Sequence, residues 1–167
     1  NVQSFLVDVG GRLELGESTR RTYRALFSGL VAPAGVFATL FGSGTQTVRL
    51  KRGVLNKPSG AATITATKRS TAFTGGTSTA PTTVPKDANN AAGTAGVLAY
   101  TVVPAAGGTN LGSLFEIDQA TTEILEERFG DEGTSQAVVL RGTGQGFALA
   151  SSAAVTLDGW FEWTEEA

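Results

Sequence analysis

The chain has 167 residues, 41% hydrophobic and 17% charged, which is enough to bury one substantial core and sparing in surface charge. It contains no histidine, cysteine or methionine, and its formal net charge is −2. Those absences exclude a Ser-His-Asp or Cys-His nucleophile system, an ordinary structural zinc site and any disulfide, and they leave no side chain with an unperturbed pKa near neutrality.

Taken in chain order, residues 1–18 read as an N-terminal extension. From Ala25 to Val48 there is no charge, and the apolar run Ala25–Phe41 nearly reaches membrane-spanning length, behind Arg20, Arg21 and Arg24. Ala32-Pro33-Ala34-Gly35 interrupts it with a turn signal, so two apolar strands explain it better than a span. Val48-Arg49-Leu50-Lys51 alternates apolar and basic residues, as a half-exposed strand does. Ala62–Thr67 puts Ala62, Ile64 and Ala66 on one face and a threonine ladder on the other.

Residues 70–96 are small, polar and punctuated by Pro81 and Pro85, which predicts an extended loop or arm. An arm resting on a neighbouring surface is the preferred reading, and a mobile insertion is the bland one. Strand patterning resumes at Val97–Val103 and closes at Pro104. Leu111, Ser113, Phe115 and Ile117 then alternate with Gly112, Leu114 and Glu116. Gln119–Phe129 is compatible with a short helix capped by Asp118, or with a strand carrying Leu125, Glu127 and Phe129 on one face. The surrounding β pattern favours the strand. Gln136–Arg141, a glycine turn at 142–146 and Phe147–Ala150 follow. The last strand is the clearest, with Val155, Leu157, Gly159, Phe161 and Trp163 on one face and Thr156, Asp158, Trp160, Glu162 and Thr164 on the other. Eight to ten short strands without a convincing helix predict an all-β fold, a single β-sandwich domain over 1–167 with the jelly roll as the preferred form.

Few residues point to chemistry. Gly142-Thr143-Gly144-Gln145-Gly146 departs from GxGxxG and precedes no helix pattern, so it reads as a hairpin turn needing positive φ. The acids between Glu116 and Glu132 fit neither a glycosidase nor a calcium-loop pattern. No enzyme activity, cofactor or metal is expected. Residues 1–86 carry eleven Lys/Arg against three acids, and residues 87–167 carry two against twelve. A basic surface for nucleic acid would account for this split, but aromatics for base stacking are scarce beside it. Basic strands meeting acidic ones within one domain is the favoured reading. Trp163 alternates with core residues, whereas Trp160 lies on the polar face and is the better candidate for a ligand or subunit contact.

Three blocks in order are similar to segments of tailed-bacteriophage virion proteins: Lys68–Asp87, Val139–Leu149 and Gly159–Glu166. The combination most resembles capsid decoration, or cement, proteins. That resemblance implies a structural virion component, β-rich, often jelly-roll and often a homotrimer. Its partners would be the major capsid protein and its own copies, and its location the virion assembled in the host cytoplasm; the residues themselves argue against a membrane partner and disfavour nucleic acid. A tail or baseplate component, receptor- or glycan-binding, is the alternative. The candidate partner contacts are Arg20, Arg21, Arg24, Thr74, Pro81, Pro85 and Trp160.

Overall fold

The computed structural model describes residues 21–56, 59–105, 107–120, 123–130 and 137–166. Arg20 and the 1–18 extension lie outside the described residues. Within them the chain forms twelve strands and no helix: β1 (Arg21–Ala32), β2 (Gly35–Phe41), β3 (Thr47–Asn56), β4 (Ala62–Arg69), β5 (Thr77–Thr79), β6 (Thr83–Pro85), β7 (Gly96–Val102), β8 (Asn110–Gln119), β9 (Ile124–Arg128), β10 (Val138–Leu140), β11 (Gly146–Ser151) and β12 (Val155–Glu166). Two antiparallel sheets pack as a β-sandwich. Sheet 1 runs β10-β3-β12-β1-β6, with β9 also paired to β3, and sheet 2 runs β5-β7-β2-β11-β4-β8.

The pairing is nested. β1 joins β12, β2 joins β11, β3 joins β10 and β4 joins β8, while successive strands β1 to β4 alternate between the sheets. The Pro33–Ala34 turn makes the first crossing, so the long apolar run of the sequence becomes β1 in one sheet and β2 in the other. No helix among the described residues is long and apolar enough to cross a membrane.

Period-two patterning fixes which face is buried. On β12, Val155, Leu157, Phe161 and Trp163 are all buried, and so are Tyr23, Ala25 and Phe27 on β1. Ala62, Ile64 and Ala66 of β4 face them from sheet 2. Phe27, Phe161, Phe147, Phe129 and Phe115 form a chain of rings from sheet 1 to β8, with centroids 5.7–6.5 Å apart. Each fully buried aromatic or aliphatic side chain contributes roughly 1.5–3 kcal/mol relative to exposure. Gly159 sits inside the buried row because a Cβ there would stand 2.6 Å from the Phe27 ring and 2.8 Å from Leu55.

Several expectations need adjustment. Of the 119–129 segment, Ile124–Arg128 is the strand β9 and turns Leu125 and Glu127 toward the core, so the strand reading holds there and no helix forms among the described residues. The glycine turn at 142–146 does contain a positive φ, 71° at Gly142, but it links β10 to β11 and so crosses between sheets instead of closing a hairpin. Along β8 the simple alternation fails. Register shifts at Ser113/Phe115 and Asn110/Gly112 leave Leu111 and Leu114 exposed while Phe115 and Ile117 turn inward. Thr164, expected on the polar face, is buried between Thr22 and Arg49 of the flanking strands. Residues 70–96 lie along their own sandwich: β5 pairs with β7 at the end of sheet 2, and β6 pairs with β1 at the end of sheet 1.

Candidate binding face

The outward face of sheet 1 brings together Arg24 and Trp160, two of the side chains singled out by sequence. Register sets Val84, Arg24, Glu162, Arg52 and Arg128 abreast across β6, β1, β12, β3 and β9. One row further along come Leu26, Trp160, Val54 and Glu126. Because β1 and β3 flank β12 on opposite sides, Trp160 receives one guanidinium from each: Arg24 at 4.1 Å and Arg52 at 4.9 Å from the ring centroid. Leu26, Val84 and Ile124 stand around this centre with 59%, 55% and 65% of their surface exposed.

Ion pairs tie the face together. Glu162 accepts from Arg24 and from Lys86, each at 2.8 Å. Glu126 accepts from Arg128 at 2.7 Å and also pairs with Arg52, and Arg49 donates to Glu166 at 3.0 Å. Four of these five pairs join a basic residue of the first half to an acid of the second, which accounts for part of the charge split. Partial burial pushes the Glu162 carboxyl up, but the Lys86 and Arg24 donors outweigh it and hold the group below the ordinary carboxylate value. Glu126 is lowered too, first by the Arg128 hydrogen bond and then by Arg52.

At one end of the sandwich, Glu165 is buried and fully engaged. Its carboxylate accepts from Thr94 N and Ala95 N at 2.9 Å, from Trp163 Nε1 at 3.0 Å and from Thr94 Oγ1 at 2.7 Å. Tyr23 Oη donates to Ala91 O at 3.1 Å, so the 86–95 segment is anchored twice. Burial raises the Glu165 carboxyl, and the donors from Trp163, Ala95 and Thr94 together lower it by more. This cluster serves the fold and holds the connection between β6 and β7 in place.

Of the residues predicted as contacts, Arg24 and Trp160 meet at the centre of the face. Pro85 lies at its edge on β6, opposite Tyr23, and Arg21 is exposed at the start of β1. Pro81 is half-buried between β5 and β6. Thr74 lies elsewhere, in an isolated bridge with Ala105 between β7 and β8. Arg52, Glu162, Lys86 and Leu26 were missing from the prediction. Glu162 could have been read from its two-residue spacing to Trp160, whereas placing Arg52 opposite Glu162 needs the register shift between Glu162 and Trp163. No group of His, Cys, Asp or Glu with metal-holding geometry occurs among the described residues. Comparison of the chain with protein-family models, with curated proteins and with solved structures finds no match.

Proposed function

We propose that this is a structural protein of a phage particle that works by adhesion, binding the outer capsid shell through the outward face of sheet 1 and bracing neighbouring capsomers. The observation that carries the reading is the composition of that face: Trp160 held between Arg24 and Arg52, ringed by exposed Leu26, Val84 and Ile124. Aromatic and arginine side chains at the centre with apolar neighbours are the make-up of protein interfaces. The nested strand pairing supports the jelly-roll form, and the three resembling sequence blocks support the decoration role. A protein that binds only the assembled shell stabilises it by mass action. Homotrimer formation and contact with the major capsid protein belong to the same proposal.

The glycan-binding alternative asks Trp160 to offer a ring face to a sugar. Both flanking strands already send a guanidinium over that ring, which weighs against it. Co-sedimentation with purified phage shells tests the proposal. Wild-type protein should pellet saturably with shells, and Leu26→Glu should lose at least about tenfold in affinity, as expected for a charge driven into an apolar contact. Because Leu26 is 59% exposed, the variant should keep its melting temperature. Absence of shell binding by the wild type, or binding indifferent to Leu26→Glu, would contradict the assignment of this face.

A further inference from the structure

The edges of the two sheets are unequal. Three outer strands, β5, β6 and β10, are three residues long, and β9 is five. Short outer strands protect a sandwich from unwanted pairing. β8 is the exception: ten residues at the end of sheet 2, paired only with β4 among the described residues. Leu111 and Leu114 on it are 52% and 44% exposed. It contains no Lys, Arg or Pro, the residues that most often guard such an edge.

What β8 does carry is a selective charge. Phe115–Gln119 pairs with Ala66–Ala62 without irregularity, so this regular stretch is where another strand can add. Glu116 and Asp118 lie in it, beside Thr65 and Thr63 of β4, and Thr63 Oγ1 donates to Asp118 at 2.6 Å. Antiparallel pairing of two copies centred on Ile117 would put Glu116 of each opposite Asp118 of the other. Like charges directly opposite destabilise a pair of strands, and opposite charges stabilise it. The register shifts in the first half of β8 discourage a longer match between copies.

We propose that β8 is a docking edge for an extended segment of another protein that alternates apolar residues with Lys or Arg, added to sheet 2 as a further strand. Main-chain hydrogen bonds to β8 supply affinity, and the cations opposite Glu116 and Asp118 supply selectivity. This edge belongs to sheet 2, so the inference stands apart from whatever the outward face of sheet 1 binds.

The test uses the full chain and two blocked ten-residue peptides, one alternating Val with Lys and one alternating Val with Glu. Binding is read by fluorescence anisotropy, and the site by amide hydrogen exchange. The wild type should bind the Lys peptide at least about tenfold more tightly than the Glu peptide, with new protection at residues 115–119. The Glu116→Lys/Asp118→Lys variant should reverse that preference. Because both residues are exposed, this variant should fold as the wild type does, which its own exchange pattern checks. Binding of neither peptide, protection away from β8, or an unreversed preference would overturn the proposal. Protection of 115–119 by self-association without peptide would overturn the choice of partner.

Discussion

Single side chains set two sharp limits on this fold. Glu165 is a buried carboxylate that survives because four donors converge on it. Its pKa is depressed below 4.5 in the folded state, so its stabilisation is complete above that value and is lost as pH falls through the folded pKa. Glu162 is depressed as well, which steepens acid lability in the same direction. Glu165→Gln should cost roughly 1–3 kcal/mol at neutral pH by setting an amide N–H against buried donors, and it should flatten the fall in melting temperature below pH 4.5. Thermal melts of both proteins across that range check it. Gly159 is limited by space: Gly159→Ala drives a methyl to within 2.6 Å of Phe27 and should destabilise by about 1–3 kcal/mol, read by chemical denaturation.

At the scale of elements, the sequence was most legible where alternation is strict. β12 and β4 follow the alternation over most of their length, because a one-residue slip would turn every core side chain outward, but Thr164 and Thr67, both expected on the polar face, are buried. β8 and the 142–146 turn were legible as β and as a turn, but not in their outcome. Register shifts and sheet crossings are fixed by tertiary pairing, which leaves no local signal. The 70–96 composition predicts an extended loop or arm, but where the segment lies depends on which sheet ends are open, and β5 and β6 fill two of them. At the candidate face, Trp160 was legible as a polar-face residue of its strand and Arg24 as one of a basic group. Their convergence with Arg52 depends on β1, β12 and β3 being neighbours, a pairing between the two ends of the chain that periodicity cannot supply. Amide exchange should follow the same geometry. β12, central in sheet 1, should exchange slowest, near the limit of global unfolding, and β5 and β6 fastest among the strands. Phe161→Ala, which removes the ring between Phe27 and Phe147, should cost roughly 3–5 kcal/mol.

For the whole molecule, the pairing of β1 with β12 means that the two ends of the described chain must meet before sheet 1 can form. Folding should therefore fall in the slow range for small domains, milliseconds to seconds, in stopped-flow fluorescence of Trp160 and Trp163. The charge split between the halves helps bring those strands together, and it leaves β8 with acids that face no cation in the ion pairs described. On the proposed reading the molecule holds on to neighbours through the arginine-flanked tryptophan of sheet 1, and among the described residues the outer side of β8 in sheet 2 pairs with no strand. Electron cryo-microscopy of purified particles tests that claim most directly. Density for this chain should repeat with the capsid lattice, with Leu26 and Trp160 turned toward the shell. Density confined to the tail or baseplate, or a lattice contact made with the sheet 1 face turned to solvent, would contradict it.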